Sequence, residues 1–187
     1  AGQAKDVAAR AKKKYREIIA KLPEFDKRDR FEMNIVNCAM LAAFILCMPQ
    51  RPDIKTLTDY YAAAMMTPTM KAFCRASGKK KFTPKDIEGM KATAKLRAGD
   101  RNPYSWNMDF FEYEDGSGYE ARFTTCGICT LMQVLGLYDL TPALGHLDYT
   151  MSDAGGASDF VREYTLASGG PYCDCGYHKR NKQNKGS

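Results

Sequence analysis

The hydrophobic period of this chain changes after Pro103, and few architectures accommodate both halves. Before it, apolar residues recur every three to four positions, the spacing of one helical face. From Gln3 to Leu22 the stripe is Val7, Ala11, Tyr15, Ile18, Ile19 and Leu22, and Pro23 ends it. Asp29 is placed to cap a second helix running through Phe31, Ile35, Val36, Ala39, Met40, Ala43, Phe44 and Cys47, apolar enough to be buried nearly all round. Asp53 caps a third through Leu57, Tyr60, Tyr61, Ala64 and Met65, which Pro68 bends or breaks before Met70, Phe73 and Cys74 carry it to Gly78. Thr83-Pro84 then opens a polar helix that Gly99 closes.

Beyond Pro103 the pattern alternates. Trp106, Met108 and Phe110 face Tyr119, Ala121 and Phe123 across Asp115-Gly116-Ser117-Gly118, a hairpin. Residues Gly127 to Gly136 are helical in character, Thr141-Pro142 starts a short helix, and Asp159–Leu166 and Tyr172–Tyr177 read as strands. Helices followed by strands predict an α+β fold, with a helical N-terminal half (1–100) packed on a small antiparallel sheet with one or two further helices (101–180). At 187 residues one domain, 1–180, is expected, followed by a disordered Lys/Asn tail at 181–187.

The net charge of +6 is concentrated in Lys12–Lys14, Lys79–Lys81 and the tail from Lys179. No base-stacking or base-reading residues are interleaved with it, so these runs read as solvated faces and no nucleic-acid partner is expected. The apolar run Met33–Met48 contains Asn34 and Asn37 and falls short of the roughly 20 residues of a membrane span. No membrane partner or signal peptide is legible. Seven cysteines, an odd number in a chain able to bury a core unaided, fit thiols in a reducing cytoplasm better than a disulfide scaffold.

Four of these cysteines form close pairs, Cys126-Gly127-Ile128-Cys129 and Cys173-Asp174-Cys175, with His178 shortly after. Cys126, Cys129, Cys173, Cys175 and His178 could together hold zinc or iron. One intervening residue puts both sulfurs of the second pair on one strand face and Asp174 on the other, which suits a zinc knuckle poorly. A catalytic alternative needs fewer residues. Cys126 immediately precedes a helix, whose N–H groups and dipole favour a thiolate, although by residue type alone Cys126 and Cys129 read first as core filling beside Ile128 and Met132. His146, Asp148, Asp174 and His178 are then the groups able to move protons. Cys38, Cys47 and Cys74 lie on apolar helix faces and read as core, and Gly155-Gly156 and Gly169-Gly170 read as turns. Asp148, in an otherwise apolar segment, either pairs with an arginine such as Arg122 or Arg162 or faces a pocket as an acid or base.

One ordered set of motifs goes further. Tyr119-Glu120-Ala121-Arg122-Phe123-Thr124-Thr125-Cys126, Gly136-Leu137, Asp148, Tyr164-Thr165-Leu166-Ala167-Ser168-Gly169 and Cys173-Asp174 resemble the L-2-amino-thiazoline-4-carboxylic acid hydrolase family. That family's pattern is a strand ending in Thr-x-Cys, a helix, a helical Asp, a Thr-Leu-x-x-Gly strand end and a Cys-Asp-Phe strand. The resemblance implies a hydrolase that opens a C–N or C–S bond of a small cyclic amidine-like substrate, without a cofactor. It also implies site residues at Cys126, Asp148, Cys173 and Asp174. Gly127 stands where the family commonly has Pro, His146 near a position often held by Cys, and Cys175 where the motif has Phe. The expected partner is a small-molecule substrate, and self-association stays open; the alternative function is a cysteine-rich metal- or small-ligand-binding module without catalysis.

Overall fold

The computed structural model describes residues 2–180. The expected disordered tail at 181–187 lies outside them. Five helices come first: α1 (Gly2–Ile19), α2 (Glu32–Cys47), α3 (Ile54–Met65), α4 (Pro68–Gly78) and α5 (Pro84–Arg97). Pro68 breaks the third helix outright, because Thr67 turns extended and accepts the Met70 N–H, starting α4 afresh. Asp53 and Thr83 cap α3 and α5 as their sequences require, accepting from the N–H groups of Thr56 and Asp86.

Asp29 does not cap α2. That helix begins at Glu32 with no side-chain cap, while Asp29 is buried and its Oδ1 accepts the Phe31 N–H at 2.8 Å. Its Oδ2 lies 3.3 Å from Arg97 Nη1 and accepts the Ser105 hydroxyl at 2.5 Å. A buried guanidinium with an unmet need for an anion outcompetes a helix end that water can satisfy.

The second half contains β1 (Asp109–Glu112), β2 (Gly118–Phe123), α6 (Gly127–Val134), α7 (Thr141–Gly145), α8 (Leu147–Gly155), β3 (Ser158–Val161) and β4 (Cys173–Lys179). The four strands form an antiparallel sheet in the order β1-β2-β4-β3, confirming the α+β class. Chain order is broken once: β4 inserts between β2 and β3, pairing Phe123 with Cys173 and Ala121 with Cys175.

This register decides what faces what. Phe110, Tyr119, Ala121, Phe123, Phe160, Cys173, Cys175 and Tyr177 share the face under the helices, whereas Glu120, Arg122, Asp174 and His178 share the other. The main core, around Ile35, Cys38, Ala42, Leu57, Leu131, Met132 and Leu144, sits between α1, α2, α3, α6 and α7. A smaller cluster of Met108, Ala121, Phe160 and Cys175 lies on the sheet, and Phe31 and Phe123 pack against both. Cys38, Cys47 and Cys74 are buried, as their helix faces predict. Among the described residues no helix is long and apolar enough to cross a membrane.

The lysine run at Lys79–Lys81 is only partly a solvated face. Lys79 and Lys80 are exposed, but Lys81 Nζ sits 3.3 Å from the centre of the Tyr177 ring and 5.4 Å from that of Tyr119. The next residue, Phe82, has φ of 63°, the left-handed region that bulky residues rarely enter. It is held there by its N–H donating to Asp86 and by its ring against Tyr119. Burial pulls the Lys81 ammonium down to about 8.

Candidate active site around Cys126

Strand β2 ends at Phe123, and three residues later Cys126, still extended at φ −139° and ψ 112°, begins α6. The turn is tight because Gly127 has no side chain: a Cβ there would lie 2.0 Å from the Tyr104 carbonyl oxygen and 2.9 Å from Ile35 Cδ1. The helix start is thereby pressed against the Tyr104–Trp106 segment.

Cys126 is half-buried and packs against the main core. No side-chain hydrogen bond of ordinary cap geometry closes the helix. The sulfur lies instead among donors: the Cys129 thiol one turn on, the N–H groups of Cys129 and Ile128, and the Trp106 indole N–H. These outweigh burial and lower the Cys126 thiol to about 7, whereas Cys129, which donates to it, is pushed up by that hydrogen bond and by burial. The sulfurs of Cys129 and Cys173 are both within electrostatic reach of Cys126. Cys173 accepts the Leu166 N–H at 3.2 Å, and burial pushes its thiol up. Tyr138, exposed, donates its hydroxyl to the Leu166 carbonyl at 3.0 Å, and burial and the nearby Cys129 and Cys126 thiols push the phenol up. Cys126, Cys129, Cys173 and Tyr138 therefore form one group on the solvent side of the core.

Asp148 stands one step away and is bound to an arginine. Arg162, its side chain only 7% exposed, donates to Asp148 at 2.5 Å, to the Gly145 carbonyl at 3.1 Å and to the Cys175 sulfur at 2.9 Å. This clamp ties the α7–α8 corner to β3 and β4. Cys175 lies inside it, its thiol pushed up to about 12 by burial, a packed group and not an accessible one.

The other expected site residues are elsewhere. Asp174 projects from the opposite sheet face and accepts the N–H groups of Glu163 at 2.9 Å and Tyr164 at 2.6 Å, bracing the chain after β3. His146 is exposed at the α7–α8 corner and stacks on Tyr149. His178 shares Asp174's face, stacked on Tyr113 and 3.3 Å from the Ser117 hydroxyl. The set Cys126, Cys129, Cys173, Cys175 and His178 accordingly does not converge, and no group of three or more His, Cys, Asp or Glu among the described residues is placed to hold a metal.

A family model for L-2-amino-thiazoline-4-carboxylic acid hydrolase matches residues 33–177. The chain belongs to that family. The match takes in α2 to α5 as well as the Tyr119–Tyr177 motifs, so those four helices belong to the family's match, while α1 lies before it. Neither the curated proteins nor the solved structures compared with the chain gave a match.

The family frame makes the departures at three positions physical. Gly127 permits the approach of Tyr104, Cys175 fills a core place where its sulfur meets Arg162, and His146 occupies an exposed corner. Trp106 and Tyr138 have no motif around them and were not legible as site residues. Trp106 is the single tryptophan of the chain, which is the one signal that could have drawn attention to it. A cleft of about 170 Å³ lies at the far end of α6, between Ile18, Leu22, Leu46, Tyr104, Leu131 and Leu135, and contains none of the cysteines.

Proposed function

We propose that this family member hydrolyses a small cyclic amidine or amide resembling 2-amino-thiazoline-4-carboxylate, using Cys126 as nucleophile and no cofactor. The observation that carries this reading is the Cys126 sulfur at the start of α6, its charge favoured by the neighbouring thiol and by N–H donors, so that an appreciable thiolate fraction exists near neutral pH. The thiolate adds to the amidine carbon, and the bond from that carbon to the ring heteroatom breaks with its electron pair leaving on the heteroatom. The Cys129 thiol supplies the proton that neutralises it. Water then attacks the carbon held on Cys126, Cys129 recovers its proton from that water, and Cys126 departs as thiolate.

The remaining residues serve this centre from outside it. Cys173 lines it as a neutral thiol, and Asp148 acts through Arg162 to fix the α7–α8 corner on the sheet. Asp174 holds the loop that carries Leu166 toward Cys173 and Tyr138. His146 stacks on Tyr149 at the exposed α7–α8 corner, outside the reacting group. Seven free cysteines suit a reducing cytoplasm.

The test is turnover of 2-amino-thiazoline-4-carboxylate, followed by release of the ring-opened thiol. Cys126→Ala and Cys126→Ser are expected to lose at least about 10³-fold in kcat with an unchanged far-ultraviolet spectrum. A Cys126→Ala protein that turns over at the wild-type rate refutes the nucleophile.

A further inference from the structure

We propose that Cys126 and Cys129 form a thiol–disulfide exchange site: the pair takes an oxidising equivalent from small-molecule disulfides and closes reversibly into an intramolecular disulfide. The placement carries the proposal. Cys126 is the residue before the first turn of α6 and Cys129 completes that turn, with the Thr130 N–H donating to the Cys126 carbonyl at 3.2 Å. Residues three apart on a helical turn have Cβ atoms ~5–6 Å apart. The extended backbone at Cys126 turns its side chain back over that turn, as at a helix N-cap, so that the two thiols lie side by side and each acts on the other's ionisation. A disulfide needs its Cβ atoms at about 3.5–4.5 Å, so a small approach of the two side chains is sufficient. The Gly127 contact with Tyr104 holds the turn in this shape without filling the space between the sulfurs.

The two cysteines differ in the way such a pair requires. Both are half-buried, as is Cys173, so a small disulfide can reach them, whereas Cys38, Cys47, Cys74 and Cys175 are buried; of the three, only Cys126 and Cys129 share a helical turn. Cys126 sits among donors that favour its thiolate, and Cys129 keeps its proton and so waits as the resolving thiol. In the first step the Cys126 thiolate attacks one sulfur of R–S–S–R, forming a mixed disulfide and expelling RS⁻. In the second, Cys129, its proton passing to the RS⁻ released or to water, attacks the Cys126 sulfur and expels the second RS⁻. Two protein thiols are oxidised, one external disulfide is reduced to two thiols, and the overall change balances. Closure consumes the sulfur used for hydrolysis. This regulatory consequence rests on the proposed nucleophile role, but the exchange chemistry does not.

The experiment uses the full chain equilibrated with mixtures of reduced and oxidised glutathione, then acid-quenched, alkylated and mapped by peptide mass. At oxidising ratios the wild type should protect Cys126 and Cys129 from alkylation, carry no bound glutathione and link the two residues. Cys129→Ser, combined with Cys173→Ser so that the other half-buried thiol near Cys126 cannot stand in, should retain one glutathione on Cys126, because nothing resolves the mixed disulfide. Dithiothreitol should restore both thiols and turnover together. Wild-type protein that keeps both thiols alkylatable, or that accumulates glutathione on Cys126 as the variant does, overturns the proposal. Mapping reads sulfur chemistry without turnover, so an active Cys126→Ala enzyme would defeat the nucleophile reading alone, and an unlinked pair would defeat the exchange site alone.

Discussion

Replacing Asp29 with alanine should unfold the protein at a much lower temperature, although this residue is far from any motif. The carboxylate is fully enclosed and receives Arg97 Nη1 at 3.3 Å, the Ser105 hydroxyl at 2.5 Å and the Phe31 N–H at 2.8 Å. Arg97 is also enclosed, and it donates besides to Ser105, to the Trp106 carbonyl at 3.0 Å and to Asp100. Removing one member of a buried pair costs about 3–5 kcal/mol, chiefly by stranding the other charge. Asp100 retains part of the compensation, which selects the lower end, about 3 kcal/mol. For a chain of this length each kcal/mol moves the midpoint by about 2–4 °C, giving a fall of about 6–12 °C. Thermal melts and urea titrations followed by circular dichroism measure it. The double variant Asp29→Leu, Arg97→Met should recover part of the loss, since it removes both charges of the enclosed pair and costs only the hydrogen bonds to Phe31, Ser105, Trp106 and Asp100. A single variant melting within about 2 °C of wild type would refute the reasoning, because one stranded kcal/mol already moves the midpoint that far.

Three further outcomes follow from the site. Gly127→Ala should lower stability by about 2 kcal/mol or more, because its methyl meets backbone at 2.0 Å and the start of α6 must shift; urea unfolding reads it. Alkylation of Cys126 requires the thiolate, so its rate should rise with pH through a midpoint near about 7, and Trp106→Phe, which removes the indole donor, should move that midpoint upward. Arg162→Lys keeps the charge yet cannot serve Asp148, Gly145 and Cys175 at once, and should cost about 2 kcal/mol, which denaturant titration measures.

The elements were largely legible because each rests on local chemistry. Periodicity placed the helices, the Asp53 and Thr83 caps and Pro68 marked their ends, and the alternation around Asp115-Gly116 located the hairpin. The strand spacing also foretold that Cys173 and Cys175 share a face opposite Asp174. Asp29 was misread since a cap and a buried ion-pair partner look alike in sequence. The difference depends on Arg97, 68 positions further along the numbering. Lys81 was misread for a related reason: a run of lysines cannot disclose that a left-handed Phe82 turns one of them onto Tyr177.

The sequence by itself determined the two-part α+β pattern, the family's ordered motifs and a cysteine at a helix start, because periodicity, capping and short motifs act over a few residues. The tertiary structure alone decided which groups accompany that cysteine. It brought Trp106, Cys129, Cys173 and Tyr138 around the sulfur, engaged Asp148 with Arg162, and turned Asp174 and His178 to the far face. Those outcomes depend on β4 entering the sheet between β2 and β3, a pairing across some fifty residues of chain that packing selects and no local pattern records.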